Sequence, residues 1–406
     1  MGIYTKIIQD SITGIYRTNA ANKILQFIKR IRNESDMDQA RRFLIELMQN
    51  ARDLAYKTPE GITEPVSVRI RMSDTELEFS HNGKVFSVKD ILSIIYQVSS
   101  KKPGEGIGQF GTGFMSTYQL SEKVELTSYL KNGENPYLPF TICLDRSGCG
   151  KEEILEAIEE AMDQLVKADE SAEGVPEDNF DRSAYNTRFL YHLNQEKSRE
   201  IARTGMEDLD HTILYILLFS PQISTVELIY DTCFRKERII YTNGEPESRE
   251  NGLCTMEFSQ GEAIRHLVYQ YVQDGAERIT VASEYKDGQI LPIKAQMPRL
   301  YIDFPLVGSE QFPFPTVVNC RMLCPNEPRS SISLVDNQSS QDALCNKKIM
   351  KQAVALYGQF LHNLVEQGFG GLQNVIAVPV YQENKEWSAQ WVRARLYNGC
   401  FKQIKK

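Results

Sequence analysis

Residues 46–55 read ELMQNARDLA, and this stretch decides how the first half of the chain is interpreted. Glu46, Asn50 and Asp53 stand at positions i, i+4 and i+7, so one face of a helix carries all three. Apolar residues recur at three-to-four spacing on the other side, which predicts a helix over 38–57. The Asn amide could supply an oxygen ligand to a hydrated Mg²⁺ ion, and the Glu carboxylate could act as a general base towards water. The alternative is that these residues form the solvated polar face of the helix.

The segment GEGIGQFGTG at 104–113 is the second informative feature. Glycines let backbone N–H groups approach phosphate oxygens, and the N-terminus of a following helix adds positive potential. The spacing of Gly106, Gly108 and Gly111 also matches the dinucleotide-binding fingerprint, but that motif needs a strand directly before it. Here SSKKP follows a predicted helix, and no Gly-Lys-Ser/Thr comes after the glycines, so neither the dinucleotide fold nor the P-loop is indicated.

The composition is that of an ordinary globular protein, with 41% apolar and 25% charged residues in 406. The net charge of −8 argues against broad binding to nucleic acid or anionic lipid, since both need clustered Lys and Arg. The eight cysteines are scattered without a Cys-x-x-Cys pair, which favours reduced thiols over a zinc site. No signal-peptide pattern is evident, and the most apolar run, 212–219, is too short to span a bilayer, so a cytoplasmic protein without a membrane segment is expected.

The remaining periodicity predicts alternating strands and helices in both halves of the chain. Strands are expected at 66–72, 77–79, 124–129, 138–144, 187–193, 225–230, 237–241, 278–283 and 299–304. Helices are expected at 87–97, near 113, and at 151–167, 262–274 and 346–366. Gly205 and Pro221 indicate a boundary, which gives two α/β domains at 1–210 and 211–406.

Three stretches of the first half carry a resemblance to a known superfamily: ELMQNARDLA (46–55), SHNGKVF (80–86) and GIGQFGTGFMSTY (106–118). Together they resemble the gyrase, heat-shock-90, histidine-kinase and MutL superfamily, and the third resembles the glycine box of heat-shock protein 90 chaperones. YNTRFLYHL (185–193) resembles the late strand of that family's nucleotide domain. The resemblance, over roughly residues 20–195, implies an α+β fold: a Bergerat-type two-layer α/β sandwich that binds ATP, followed by a middle-type α/β domain.

This resemblance implies roles for residues of the first two motifs and of the late strand. Glu46 would be the general base that orients the attacking water, and Asn50 would ligate Mg²⁺ between the phosphates of ATP. Asp53 would lie near the nucleotide. Gly83 would let the backbone pass close to the adenine, and Thr187 would help to position the base from the sheet.

The glycine segment would form the hinge of a lid and a cradle for the phosphates. The residues concerned are Gly106, Gly108, Gln109, Phe110, Gly111, Thr112, Gly113 and Phe114. Lys101 and Lys102 stand where such a lid would bring positive charge to the phosphates, with solvated loop lysines as the alternative.

The second motif departs from the family at two positions. The family has an Asp that accepts the adenine amino group, and a second glycine two residues after Gly83; here these positions are His81 and Val85. A neutral imidazole accepts a hydrogen bond, and Asn82 could also accept one, but neither reproduces a carboxylate. His81 is therefore either a contact to the base with altered selectivity or a turn residue packed at the strand end.

The second half contains PRLYIDFPLVGSEQFPFP (298–315) and PNEPRSS (325–331), which resemble a segment of large bacterial proteins with a sacsin-like ATPase domain. In chaperone-like members of the superfamily, the domain after the ATP site supplies a cation to the γ-phosphate, which stabilises charge in the transition state. Arg329 is the candidate for this catalytic role. A structural arginine that satisfies loop carbonyls is the alternative.

Two kinds of function are compatible with these residues. Glu46 and Asn50 favour an enzyme, a slow Mg²⁺-dependent ATPase that releases ADP and remodels a protein client. The resemblance to the superfamily implies that such an enzyme dimerises. His81 and Val85 favour an ATP-gated interaction module without turnover, such as a sacsin-like scaffold or a bacterial defence component. A histidine kinase or a gyrase-like DNA role is less favoured, because neither a phosphoacceptor helix hairpin nor a basic patch is evident.

Overall fold

The structure, a computed structural model, describes residues 17–33, 41–58, 60–97, 114–249, 252–275, 277–326, 329–336, 340–382 and 385–405. Helices and strands are mixed throughout, so the α+β class expected from the sequence is confirmed. The chain divides into two compact units. Unit 1 comprises Met1–Glu207 and Gln222–Ile240, and unit 2 comprises Asp208–Pro221 and Tyr241–Lys406.

Unit 1 is built on a mixed sheet in the strand order β8-β3-β4-β7-β5-β6, antiparallel except for the parallel pair β3 and β8. Its strands are β1 (Tyr56–Lys57), β2 (Thr63–Glu64), β3 (Val66–Ser73), β4 (Glu76–His81), β5 (Lys123–Leu130), β6 (Leu138–Asp145), β7 (Thr187–His192) and β8 (Ile223–Asp231). Its helices are α1 (Arg17–Asn33), α2 (Phe43–Asp53), α3 (Val88–Tyr96), α4 (Lys151–Ser171) and the first part of α5 (Glu196–Phe219), with short 3-10 helices at Phe114–Gln119 and Glu177–Asn179.

One face of this sheet is apolar and forms the core of unit 1. Alternate residues of β3 from Val66 to Met72 are buried, as their alternation predicts. The buried face continues across β4 and β7, where Phe79 pairs with Phe189 and Leu77 pairs with Tyr191. These cross-strand pairs fix the register, because a slip by one residue would turn every buried side chain outwards.

Helix α2 is shorter than the helix predicted over 38–57. In the described residues it runs from Phe43 to Asp53. The amides of Leu54 and Ala55 bond back to the carbonyls of Ala51 and Arg52 at 3.1 Å, which tightens the last turn. The chain then turns into β1, so the helical spacing of the sequence overestimated the length of the helix at its C-terminal end.

Gly205 lies inside helix α5 and does not end it. A Cβ atom on Gly205 would lie 2.5 Å from Cε1 of Phe43, closer than atoms can approach. The glycine therefore lets the Phe43 ring of α2 pack against the backbone of α5. Packing, rather than chain reversal, explains a glycine at this position.

Unit 2 contains a second set of strands in the order β9-β10-β11-β12-β16-β14-β15, with β13 beside β12. Its strands are β9 (Lys236–Ser248, of which Tyr241–Ser248 belongs to this unit), β10 (Leu253–Gln260), β11 (Ala263–Asp274), β12 (Glu277–Lys286), β13 (Gln289–Ile290), β14 (Leu300–Ile302), β15 (Phe304–Pro305) and β16 (Val317–Cys320). Its helices are the second part of α5, α6 (Gln341–Glu366), α7 (Gln373–Ile376), α8 (Ala389–Trp391) and α9 (Asn398–Ile404), with a π-helical stretch at Val392–Tyr397. Helix α6 packs on β10, β11 and β12.

The prediction of a helix over 262–274 is wrong, because these residues form β11. Apolar residues recur at helical spacing from Ile264 onwards, and this pattern led to the prediction. In the structure Ile264 and Val272 are 55% and 43% exposed, so that stripe is not the buried face. Turns at Gly261 and Gly275, both at positive φ, lead into antiparallel pairing with β10 and β12, and β-branched and aromatic side chains suit such a strand.

The other predicted elements are confirmed with shifted ends. The predicted cap of α3 is present: the Asp90 amide donates to Ser87 Oγ, and the Ser87 amide donates to the Asp90 carboxylate, each at 3.2 Å. The helix expected near 113 is the 3-10 helix Phe114–Gln119, and the strand expected over 299–304 is divided between β14 and β15. No described helix combines the length and the apolarity that crossing a membrane requires.

Candidate functional site

Helix α2 carries Glu46, Asn50 and Asp53, and all three are half-buried. Asp53 already has a partner, since its Oδ1 atom accepts hydrogen bonds from Arg52 Nη2 at 2.7 Å and from Arg52 Nε at 3.1 Å. The Arg52 side chain is itself buried, so the ion pair restricts the orientation of the Asp53 carboxylate. A ligand that contacts Asp53 would have to share this carboxylate with Arg52.

The loop after β4 is fastened to the end of α2. The Lys84 amide donates to the carbonyl oxygen of Leu54 at 2.8 Å. A Cβ atom on Gly83 would lie 3.1 Å from that oxygen and 3.2 Å from His81 Nδ1, so a side chain at position 83 would push the loop away from the helix. The first two sequence motifs, which are separated along the chain, therefore meet at Leu54 and Gly83.

Asn82 holds the loop against β3. Its Oδ1 atom accepts a hydrogen bond from the Ser67 amide at 2.7 Å, and its own amide donates to the Ser67 carbonyl at 3.2 Å. The side-chain oxygen that the sequence offers as an acceptor for adenine is thus used by the protein backbone.

The inner face of the sheet ends in a polar row formed by His81, Thr187 and Ser128. His81 on β4 pairs directly with Thr187 on β7, and the Thr187 hydroxyl lies 2.8 Å from the hydroxyl of Ser128 on β5. The three residues are 2%, 0% and 1% exposed, while the next row of the same face is the apolar pair of Phe79 and Phe189. A run of buried polar side chains on an otherwise apolar face is the pattern expected where a small molecule is recognised.

Ser128 was not identified from the sequence, although a signal for it exists. Along β5, Val124, Leu126 and Leu130 occupy three of the four buried positions of a strict alternation, and Ser128 takes the remaining one. A polar residue in the apolar phase of a strand is unusual enough to be a candidate by itself.

His81 is neutral at physiological pH. Burial lowers the pKa of its imidazole from 6.5 to about 4, because the charged form loses its hydration. Its Nδ1 atom accepts a hydrogen bond from the Gly83 amide at 3.1 Å. A ring without charge cannot replace the carboxylate that the resembled family has at this position.

Phe114 anchors the chain that follows the glycine segment. Its ring lies 5.4 Å from the ring of Phe189, in the row next to the polar row, and 5.8 Å from the ring of Tyr118. Helix α2 also contacts the 3-10 helix that begins at Phe114. The end of the third motif is therefore brought close to the first motif and to the inner sheet face.

The other candidates of the glycine segment lie outside the described residues. They are Lys101, Lys102, Gly106, Gly108, Gln109, Phe110, Gly111, Thr112 and Gly113. Their roles in a lid and a phosphate cradle stay predictions.

Arg329 lies in unit 2, in a turn organised by Asn326. The Asn326 Oδ1 atom accepts hydrogen bonds from the amides of Ser330 and Ser331 at 3.1 and 2.8 Å, and the Asn326 carbonyl accepts one from the Arg329 amide at 2.5 Å. Arg329 adopts φ = 65°, in the left-handed region. The hydrogen bonds to Asn326 hold the backbone of this turn. The catalytic role of the Arg329 side chain stays a prediction.

The described residues contain no group of three or more His, Cys, Asp and Glu side chains arranged to hold a metal ion. A Mg²⁺ ion at α2 would therefore take few ligands from the protein. Asn50 and a neighbouring carboxylate fit the oxygen ligands that Mg²⁺ prefers, and the rest would come from phosphate oxygens and water, as is usual for nucleotide-bound Mg²⁺.

Comparison with known proteins gives no family assignment. No protein-family model matches the chain, and no curated protein matches it at a significant level. Function is therefore inferred from the residues and their geometry.

Proposed function

We propose that unit 1 binds a purine nucleoside triphosphate with Mg²⁺ and hydrolyses it slowly, with ATP as the nucleotide that the resemblance implies. The observation that carries the proposal is the junction of Leu54 and Lys84 at 2.8 Å. It connects the helix that bears Glu46 and Asn50 to the loop that ends at the buried polar row. A nucleotide needs one group of residues for its phosphates and another for its base, and α2 and the polar row could supply these two groups within one unit.

The residues present suit the phosphate side of such a ligand. Asn50 supplies a neutral oxygen for a hydrated cation, and Glu46 supplies a carboxylate one turn earlier on the same helix face. When bound, Mg²⁺ would neutralise phosphate charge during transfer of the γ-phosphoryl group. Glu46 would accept the proton of the attacking water at its carboxylate, and Asn50 would keep the cation next to it.

The base side supports the proposal through its polarity. His81, Thr187 and Ser128 offer hydrogen-bonding groups inside an apolar layer, which is how pockets fix the orientation of a planar ligand. The Bergerat-type sandwich for unit 1, the division of the chain into an ATP-binding part at 1–210 and a middle-type part at 211–406, and a cytoplasmic location belong to the same proposal. So do a protein client and a homodimer.

A second function, an ATP-gated interaction module without turnover, is favoured by one observation. His81 is buried and uncharged where the resembled family has a carboxylate. If the base is recognised less tightly, less binding energy is left to align the phosphates for reaction. Binding alone does not need that alignment. Binding without hydrolysis would favour this module.

Calorimetric titration of the purified chain with ATP, ADP and GTP, with and without Mg²⁺, tests the proposal. Mg²⁺-dependent binding of a nucleoside triphosphate is the expected result. Phosphate release, measured next on the same sample, separates the slow enzyme from the non-hydrolysing module. If no nucleotide binds, the site is a scaffold and both functions are refuted.

A further inference from the structure

Two cysteines of unit 2 meet between the loop after β16 and the first turns of α6. Cys324 lies in the loop, Cys345 lies on the helix, and both are half-buried. Their Sγ atoms share one hydrogen-bond acceptor, the carbonyl oxygen of Met322, at 3.8 Å from Cys324 and 3.6 Å from Cys345. The two side chains are also hydrogen-bonded to each other. The fold thus brings two thiols into contact that are separated along the chain.

Asn346, the residue next to Cys345 on α6, holds this contact in place. Its Oδ1 atom accepts a hydrogen bond from the Cys324 amide at 2.8 Å, and its Nδ2 atom donates to the Cys324 carbonyl at 2.8 Å. The Asn346 side chain is 0% exposed, and Nδ2 also donates to the Ser333 carbonyl at 3.1 Å. The loop could leave the helix only by breaking these bonds to a buried amide, which would be left unsatisfied.

The surroundings of the pair restrict the chemistry that it can perform. Among the described residues, no group of three or more His, Cys, Asp and Glu side chains is arranged to hold a metal ion. All the cysteines, these two included, are free thiols in the structure. Two thiols in contact can be joined by a two-electron oxidation, and disulfides of intracellular proteins are usually of this reversible kind.

We propose that Cys324 and Cys345 form a redox-modification site, at which a small disulfide such as oxidised glutathione converts the two thiols into an intramolecular disulfide. The Cys345 thiolate attacks one sulfur of the oxidant, which forms a mixed disulfide and releases the first glutathione as its thiolate. The Cys324 sulfur then attacks the Cys345 sulfur and releases the second glutathione. The protein loses two electrons to the oxidant, and the two glutathione thiolates take up the two protons that the cysteines lose.

The order of attack follows from the surroundings of Cys324. Burial, together with the neighbouring Cys345 and Asp342 side chains, raises the pKa of Cys324 to about 12, so this residue is a thiol at physiological pH. The attacking species in thiol–disulfide exchange is a thiolate, so the first attack falls to Cys345. Once Cys345 carries glutathione it has no negative charge, and one obstacle to the ionisation of Cys324 is removed.

Thiol mapping of the full reduced chain tests the site. The chain is equilibrated with mixtures of oxidised and reduced glutathione, quenched with acid, alkylated, and digested without reductant for mass spectrometry. We expect a crosslinked peptide of Cys324 and Cys345 at a glutathione ratio at which the exposed Cys149 is still alkylated. The reason is that the second step is intramolecular and benefits from a high effective concentration of the neighbouring thiol.

Two variants sharpen the test. Cys324→Ser removes the second thiol, so the crosslink should be lost and glutathione should remain on Cys345. Cys149→Ser changes an exposed thiol outside the pair and is the matched control, which should form the crosslink as the wild type does.

The inference is overturned if Cys324 and Cys345 are both still alkylated at ratios that already oxidise Cys149. It is also overturned if Cys345 is joined to the buried Cys320, or if glutathione accumulates on the wild-type pair without a crosslink. A crosslink that dithiothreitol reverses and that is absent from Cys324→Ser supports it. None of these results depends on nucleotide binding, so failure of the proposed function would leave this test intact.

Discussion

The Lys84 amide donates to the Leu54 carbonyl oxygen at 2.8 Å, and this one bond joins the loop after β4 to the end of α2. The loop can come so close because position 83 has no side chain. A Cβ atom there would lie 3.1 Å from both the carbonyl oxygen and the Cβ atom of Leu54. The relative positions of the two halves of the candidate site therefore depend on a glycine that is required for space, not for its backbone angles.

Gly83→Ala should lower both stability and nucleotide affinity. Because the crowding atoms are backbone or close to it, they cannot move aside cheaply, and we expect a loss of about 1–3 kcal/mol in unfolding free energy. Nucleotide affinity should fall about tenfold as the loop shifts. Urea unfolding and calorimetric titration measure the two effects.

Gly150→Ala is the matched control for that substitution. Gly150 precedes α4 at φ = −118°, and the nearest atom to an added Cβ would be 3.9 Å away. We expect a change below about 1 kcal/mol there, without an effect on nucleotide binding. Similar losses at both glycines would show that the contact with Leu54 is not the reason for Gly83.

Glu46→Gln should abolish hydrolysis while binding persists. The amide keeps the size of the side chain but cannot take a proton from water, so turnover should fall at least about 100-fold. Nucleotide affinity should stay within about threefold, because the general base is needed for the reaction and not for binding. Phosphate-release assays on this variant and on Glu156→Gln, an exposed glutamate of α4, provide the comparison. Unchanged turnover in Glu46→Gln would remove the assigned role.

Asn50→Ala should uncouple nucleotide binding from Mg²⁺. If Asn50 is a ligand of the cation, as proposed, loss of the amide oxygen removes it, so affinity in the presence of Mg²⁺ should fall towards the affinity without it. Parallel titrations with Mg²⁺ and with a chelator measure this difference in the variant and in the wild type. A wild-type response to Mg²⁺ would mean that another residue holds the ion.

Thr187→Val should destabilise unit 1, since it leaves the Ser128 hydroxyl buried without its partner at 2.8 Å. We expect a loss of about 1–3 kcal/mol in unfolding free energy. Adding Ser128→Ala removes the unsatisfied hydroxyl, and the double variant should recover part of the loss. If the losses of unfolding free energy from the two substitutions were simply additive, the hydroxyls of Thr187 and Ser128 would not stabilise each other.

Burial of His81 makes stability depend on pH in a defined window. The pKa of the folded state is about 4, below the ordinary value of 6.5, so the unfolded chain binds the proton first as the pH falls. The contribution of the neutral ring is fully present above pH 6.5 and is lost progressively down to about pH 4, at about 1.4 kcal/mol per pH unit.

His81→Gln lacks this titration and serves as the reference. Urea unfolding at several values between pH 7 and pH 4 should show the wild type losing about 3 kcal/mol more than the variant. Parallel curves for the two proteins would mean that the imidazole titrates in the folded state as it does in water.

The strands of unit 1 were predictable because alternation is a local property, as the buried residues of β3 between Val66 and Met72 illustrate. Strand β11 was not predictable in this way, because the spacing of its apolar residues also fits a helix. The turns at Gly261 and Gly275 and the pairing with β10 and β12 determine that this segment is a strand. Sequence spacing could place Glu46 and Asn50 on one helix face for the same local reason.

The base side of the site shows the opposite case. The sequence identified His81 as a departure, but its neutral state comes from burial and its Nδ1 atom is engaged by the Gly83 amide, which are both properties of the folded chain. Asn82 was a candidate acceptor until its oxygen was found bonded to the Ser67 amide. The hydrogen-bond partners and protonation states of such side chains depend on tertiary contacts, which the spacing of motifs does not specify.

The parallel pairing of β3 with β8, which aligns Val66 with Ile223, has a consequence for synthesis of the chain. Strand β3 reaches the ribosome exit long before β8 does, so one edge of the nascent sheet stays open until Asp231 has been translated. An open edge invites pairing with other chains, and contacts this distant in sequence form slowly. A fragment cut at residue 210 would keep that edge permanently, so we expect it to aggregate unless the β8 strand is supplied.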